Sequence, residues 1–325
     1  MDTLDRSAGE PTTLCVTALL TWDHRTPEFT GHQRHPTTLN PPTIHKQPPK
    51  KSDLHYPPGN QPQKPHVTPH KINPVLHNLT LTRYIAPLRE GGSLPAIVEA
   101  DDLGTYVIKF TGAGQGRKAL IAEIITGELA RRLDLPVPEL ALIHLDPLIA
   151  RAEPDPEIQE LLRASAGLNL AMDYLPHSIG YDPTTHTTDP HLAGHILWLD
   201  AYTNNVDRTW RNPNLILWHR KPYLIDHGAS LIFHHNWPGA PATLTRPYQA
   251  QDHVLINDHP DLKAADTALA PRITHDLLTE VTRLIPDQWL TDEPGFPTPD
   301  DVRTAYTDHL LARATNRAWL PELPR

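Results

Sequence analysis

Asn205-Val-Asp-Arg-Thr-Trp-Arg-Asn-Pro-Asn-Leu-Ile-Leu217, followed closely by Tyr223-Leu-Ile-Asp-His-Gly228, is the stretch on which the reading of this chain turns. A polar loop runs into a short apolar strand, and a second apolar strand ends in an acid. Asp207 and Asn212 stand five residues apart in that loop. An Asp there can accept or orient a hydroxyl proton. An Asn five residues on can turn back and offer its amide oxygen to a hard cation. Asp226 leaves its strand with Gly228 two residues later, which suits a metal-binding turn. Each feature alone is ordinary, because Asp and Asn favour turns in any case. Their order, and what lies upstream, carries the weight.

Working outward, Leu215 to Trp218 and Tyr223 to Ile225 read as a hairpin turning through His219-Arg-Lys-Pro222. Upstream, Thr105-Tyr-Val-Ile-Lys-Phe110 is β-branched and aromatic, a strand signature. Val98 to Ala100 is its expected partner across the turn Asp101 to Gly104. Lys109 is anomalous inside that apolar strand unless its charge has a partner. Glu123, 14 residues on, sits in a helix expected over Lys118 to Leu133, with apolar residues at helical spacing from Leu120 to Leu129. Leu135-Pro-Val-Pro138 stops that helix. Leu140 to Leu145 and Asn169 to Leu175 read as strands, and Pro154 to Ser165 as a short helix. The remainder reads as mainly helical, over His191 to Asn204, Thr274 to Ile285 and a last helix capped by Thr298 with Pro299 at its first position.

Composition bounds the answer. The chain has 325 residues with 29 Lys and Arg against 38 Asp and Glu, which argues against a uniformly basic nucleic-acid binder. The single cysteine, Cys15, excludes an internal disulfide and a cysteine-based zinc site, and fits a reducing, cytoplasmic setting. The best apolar run, Thr12 to Trp22, falls short of the roughly 18 residues of a membrane span. It follows Asp2, Asp5 and Glu10 where a signal peptide has a cationic start. Thirteen of the 36 prolines and eight of the 21 histidines fall in residues 1–78. Residues 1–76 are therefore expected to be a disordered Pro/His-rich extension, too poor in apolar periodicity to offset its ordering entropy.

The ordered set of strand Lys, helix Glu, Asp-x4-Asn loop, hairpin and Asp-x-Gly resembles the HipA-like kinase family, within the wider protein-kinase-like fold. Asp207-Arg208 with Asn212, and Ile225-Asp226-His-Gly228, carry the resemblance most specifically. Tyr106 to Phe110, Ala122-Glu123 and Leu135-Pro-Val-Pro138 match the N-lobe pattern. Gly91-Gly92-Ser93 stands at the place of the phosphate-covering loop. The resemblance implies an α+β, two-lobed fold: a small β-rich N-lobe with one main helix over about 77–175, and a larger helical C-lobe over about 176–325. It implies ATP and Mg²⁺ as cofactors and phosphoryl transfer, most directly to a protein Ser/Thr hydroxyl. By the same resemblance Lys109 meets the α/β-phosphates and Glu123 orients Lys109. Asp207 positions the acceptor hydroxyl, Asn212 and Asp226 hold Mg²⁺, and Gly91, Gly92 and Ser93 cover phosphate. Met172-Asp173-Tyr174 stands where the inter-lobe hinge meets adenine.

The family commonly carries His at the place of Thr209, and the loop at Gly91 lacks a G-x-G-x-x-G signature. A nucleotide-binding pseudokinase or scaffold, and a small-molecule kinase, are the competing readings. Gly112-Ala-Gly-Gln-Gly116 reads as a flexible turn rather than a phosphate cradle. His234 and His235, taken as extended, point to opposite faces and so do not share a metal. Trp198 and Trp210 read as packing residues. No membrane or nucleic-acid partner is expected.

Overall fold

The computed structural model describes residues 76–88, 94–114 and 116–323. Residues 1–75, where a disordered extension was expected, and Gly91, Gly92 and Ser93 lie outside the described residues. The fold is mixed α/β. Five strands, β1 (His77–Pro87), β2 (Ala96–Ala100), β3 (Thr105–Lys109), β4 (Leu140–Leu145) and β5 (Gly167–Asp173), close a barrel in the order β1-β2-β3-β5-β4. All pairs are antiparallel except β1 with β4, which runs parallel and completes the ring.

Side-chain alternation explains the closure. Ala96, Val98 and Ala100 of β2 point inward with Ile108, Ala141, Ile143 and Ala171. Mixing alanine with branched residues lets so few strands wrap a filled interior. The opposite faces of β4 and β5 present Leu140, Leu142 and Leu170 to the helix α1 (Gly116–Arg132). Every residue of α1 from Leu120 to Ala130 is buried, so this helix is walled on all sides. It ends where Asp134 takes a left-handed φ of 63° and the Leu135 N–H returns to Ala130 O at 2.9 Å.

Beyond β4 lies α2 (Pro156–Ala164), capped by Asp155, then β5. A three-stranded sheet joins β6 (Ile179–Gly180), β7 (Leu215–Trp218) and β8 (Lys221–Leu224). The β7–β8 turn is His219-Arg220, with φ of 48° and 65°, the double left-handed turn that matches strand twist. Between β6 and β7 runs α3 (Pro190–Thr203), capped by Asp189. Trp198 stacks on Tyr202 at 5.1 Å and meets Trp319 edge-on at 5.5 Å. The chain closes with α4 (Leu262–Leu269), α5 (His275–Thr282), α6 (Asp287–Leu290) and α7 (Pro299–Asn316), the last opened by the Thr298–Asp301 capping box expected from sequence. No helix among the described residues is long and apolar enough to cross a membrane.

Two long-range contacts hold α3, the helix that leads into the loop carrying Asp207. From α7, buried Arg313 donates to the carbonyls of Ala201 and Tyr202 at 2.8 Å each, in the last turn of α3 where carbonyls lack intrahelical partners or have only a weak one. Nearer its start, α3 lies against the backbone of Asp261 at Gly194, where a Cβ would sit 2.5 Å from the Asp261 carbonyl oxygen. Gly194→Ala is therefore expected to destabilise the protein by about 1–3 kcal/mol, read as a lower urea midpoint with an unchanged slope.

Candidate active site

The site assembles from three separated elements. Lys109 ends β3, on the face opposite inward-pointing Ile108. Its ammonium donates to Glu123 Oε1 from α1, and to Asp226 Oδ1 at 2.8 Å from the turn after β8. Glu123 is almost fully buried at 3 % exposure, so its contact with Lys109 meets a charge that has little access to water. Burial alone would lower the Lys109 pKa, but Asp226 and Glu123 outweigh it and hold the amine charged. Burial, opposed by Lys109, pushes the Glu123 carboxyl above its ordinary range. Asp226 feels the same burial, yet Lys109 beside it outweighs that and keeps it below its ordinary range. One cation between two carboxylates leaves surplus negative charge on the open side.

Asp226 itself adopts a left-handed φ of 54°. Gly228 brings the turn close to α1: a Cβ there would stand 3.3 Å from Glu123 Oε1. The His227 N–H also bonds to Glu123. Gly127 on α1 makes room on the other side, since a Cβ there would approach Leu140 Cδ1 to 3.0 Å and His227 Cδ2 to 3.8 Å.

Asp207 sits half-buried in the neighbouring loop. Its Oδ2 accepts from Asn212 Nδ2 at 2.7 Å and from Asn214 Nδ2 at 3.3 Å. Burial pushes the Asp207 carboxyl up, Asn212 pulls it down, and Asp226 pushes it up again. Thr209 closes the loop: its N–H donates to Asn212 O at 3.0 Å, and its hydroxyl accepts from Asn212 N at 3.2 Å. The Asn214 amide oxygen is buried with no partner among the described residues. Two neighbouring carboxylates, with Asp226 disfavouring the charge on Asp207 and amide oxygens beside them, make a donor set that fits a hard divalent cation.

Arg208, fully buried, binds these parts together. It donates through Nε to Asp200 Oδ2 at 2.7 Å, through Nη1 to Asn214 O and to Ile225 O at 3.1 Å, and through Nη2 to His227 Nδ1 at 3.1 Å. Asp200 also accepts from Asn205 Nδ2 at 2.9 Å and His253 Nε2 at 3.0 Å. Burial would push Asp200 up, but Arg208 and then His253 hold it down at about 2. Neither Asp200 nor His253 was singled out from sequence. The signal available was an acid in the last turn of an otherwise apolar helix.

Met172 pairs with Val107 and Leu140 and packs between two apolar clusters. The N–H groups of Asp173 and Tyr174 donate to Glu139 O at 2.8 Å and Thr105 O at 3.1 Å, so those two donors are engaged within the fold. Gly112 packs tightly on Ala164, whose carbonyl carbon a Cβ would approach to 2.9 Å, in keeping with a structural turn. His234 and His235 lie in a 3-10 turn, not an extended segment, and their Nε2 atoms meet at 3.2 Å. No group of three metal-ligating His, Cys, Asp or Glu residues occurs among the described residues. Trp198 is buried as expected, whereas Trp210 is 51 % exposed because the loop turns it outward.

A family model described as HipA-like kinase matches residues 81–322. The chain belongs to the HipA-like kinase family. Solved structures similar to this family member include the Helicobacter pylori proinflammatory kinase CtkA, at 12 % identity over 75 % of this chain and 99 % of that one, with a TM-score of 0.44. The Golgi casein kinase with Mn/ADP bound is 9 % identical over 75 % of this chain and 74 % of its own, with a TM-score of 0.40. No curated protein matches the chain.

Two outcomes test the geometry of this HipA-like site. Arg208→Leu removes the main counter-charge of buried Asp200, leaving it only His253 and Asn205, and is expected to cost about 3–5 kcal/mol in chemical denaturation. Adding Asp200→Asn to that variant should recover part of the loss, because the buried charge is then gone. His227 gives the second. Burial, reinforced by Arg208, lowers it from 6.5 to about 3. The unfolded chain then binds a proton that the folded chain refuses. Stability should therefore fall as pH drops from about 6.5 towards 3, by up to about 1.4 kcal/mol per unit from this residue. In His227→Gln the slope of unfolding free energy against pH should lose roughly one proton.

Proposed function

We propose that the chain is an ATP- and Mg²⁺-dependent kinase that phosphorylates a protein Ser/Thr hydroxyl. It would act on a two-lobed fold: the barrel and α1 form an N-lobe over about 77–175, and the helices form a C-lobe over about 176–325. The observation that carries this reading is the convergence of Lys109, Glu123 and Asp226 from β3, α1 and the β8 exit, with Asp207 and Asn212 in the adjoining loop. Membership of a kinase family supplies the reaction class, and a single cysteine fits a reducing, cytoplasmic setting.

In this reading Lys109, kept charged by its two acids, binds the α/β-phosphates, and Glu123 holds it in place. Asp226 and Asn212 hold Mg²⁺, which supplies charge neutralisation on the phosphates. Gly91, Gly92 and Ser93 cover phosphate, and Met172, Asp173 and Tyr174 flank the base. Asp207 aims the acceptor: the hydroxyl oxygen forms a bond to the γ-phosphorus, the bridging P–O bond to ADP breaks, and the hydroxyl proton passes to Asp207. The upward push on the Asp207 carboxyl suits a group that must take a proton. Catalysis then rests on positioning and electrostatics.

The test separates binding from transfer. ATP with Mg²⁺ should raise the melting temperature of the wild type, since a native-state ligand at 100 times its Kd adds about 2.7 kcal/mol. Asp226→Ala should lose that metal-dependent shift. Asp207→Ala should keep the shift yet transfer labelled phosphate about 10²–10⁴-fold more slowly. Wild-type rates in Asp207→Ala would sink the assignment.

A further inference from the structure

A cavity of about 590 Å³ lies beside the Asp207 loop and plays no part in the reading above. One wall is that loop, through Val206, Arg208 and Thr209. The other is the chain after Gly228, through Ile232, Phe233 and Arg246. The floor is fixed: Tyr248 donates to Asn205 O at 2.7 Å, and Arg208 and His253 both bond to Asp200. Whatever occupies the cavity rests on the residues either side of Asp207.

The rim is apolar and wet. Val206 is 53 % exposed and Ile232 is 38 % exposed. Trp210 adjoins them, because its backbone N–H donates at 3.0 Å to the carbonyl of Asp252, which also lines the cavity. The Arg211 guanidinium lies 4.0 Å over the Trp210 ring. Three large apolar residues left in water around one loop mark an unpartnered surface, and Trp with Arg is the pairing that recurs where proteins bind one another. The charge is also out of character. Residues 77–325 carry 21 Lys and Arg against 32 Asp and Glu. Yet Arg246 in the cavity lining and Arg211 over Trp210 both stand exposed, without an ion pair among the described residues. Asp252 is the one carboxylate in the cavity lining.

We propose that this surface docks the acceptor polypeptide. A bulky apolar side chain near the phosphorylated residue enters the cavity between Val206 and Ile232, and acidic residues of the same segment pair with Arg246 and Arg211. The inference rests on the reading of Asp207 as the group that meets the acceptor hydroxyl, and it narrows that reading to acidic, apolar-flanked Ser/Thr segments. The chemistry of the surface favours a polypeptide: exposed Val206, Ile232 and Trp210 stand beside two exposed arginines, so apolar and anionic contacts are offered together, as an acidic segment with an apolar neighbour would use them.

The probe is a set of synthetic peptides with a central Ser or Thr, one Leu neighbour, and Asp or Lys placed in turn at each other position. The readout is the ratio of kcat/KM for the best Asp peptide to its Lys counterpart. That ratio is internal to each variant, and melting temperature reports folding. The wild type should prefer Asp by about ten-fold or more. Arg246→Glu should bring the ratio to one or below, and Arg246→Lys should keep most of it. Ile232→Asp should weaken selection for Leu over Ala at the neighbouring position. A ratio unchanged in Arg246→Glu, or a wild-type preference for Lys, overturns the docking surface while leaving the kinase reading intact. Phosphorylation of no peptide and no protein by a wild type that binds Mg·ATP overturns the protein-acceptor reading, and this inference with it.

Discussion

Removing a guanidinium from water costs several kcal/mol unless its donors and its charge are met. Arg208 is fully buried, and it meets that demand by reaching four places at once: Asp200 on α3, the carbonyl of Asn214, the carbonyl of Ile225 and the ring of His227. Two of those acceptors belong to the segment that delivers Asp226, and Arg208 itself follows Asp207. The positions of the two acids are thus set by one cation that can be satisfied in few arrangements. A planar fork of donors suits that task in a way a lysine ammonium does not.

The constraint propagates outward. Asp200 must lie where Arg208 can reach it, so the last turn of α3 must be fixed. Arg313, from the far end of the chain, holds that turn by its carbonyls at Ala201 and Tyr202. On the other side, His227 accepts from Arg208 through Nδ1 while its ring packs near Gly127 of α1. The loop holding Asp207, the turn holding Asp226 and the helix holding Glu123 therefore share one network, although their residues are far apart in sequence.

How much of this was legible depended on whether a residue looked wrong for its local element. Lys109 inside Tyr-Val-Ile-Lys-Phe and Glu123 inside an apolar helix both violate burial preferences, and each turns out to hold the other. The Thr298 cap and the β7–β8 hairpin follow local rules and were readable for that reason. β1 was not, because register shifts between Leu81 and Arg83 and between Tyr84 and Ala86 break the period-two pattern that marks a strand. The parallel closure of β1 on β4 is a property of the ring and has no local signature. Asp200 and His253 look like an ordinary helix-end acid and an ordinary loop histidine until the chain brings them together across 53 residues. For His234 and His235 only the backbone differs from expectation: the segment is a 3-10 turn, where the side-chain directions of an extended strand do not apply.

The remaining question is why α1 stays where Glu123 needs it, since a buried carboxylate shared with one lysine is costly to hold. Apolar burial from Leu120 to Ala130 fixes the middle of the helix. Its ends are tied by charge. Near the start, Lys118 donates to His234 O at 2.6 Å and to Glu293 at 2.8 Å. At the finish, Arg132 pairs with Glu280 at 3.0 Å, and Arg272 donates to the Arg132 carbonyl at 2.6 Å and to Asp134 at 2.8 Å. All of these partners come from beyond residue 230, so the C-terminal half of the chain anchors both ends of the helix. Surface pairs of this kind contribute little singly. Here they act on a helix already packed on every side, where even a small shift of Glu123 would take it from Lys109 and leave a charge buried alone. The cost of that stranded charge, rather than the strength of the tethers, keeps the ion pair assembled.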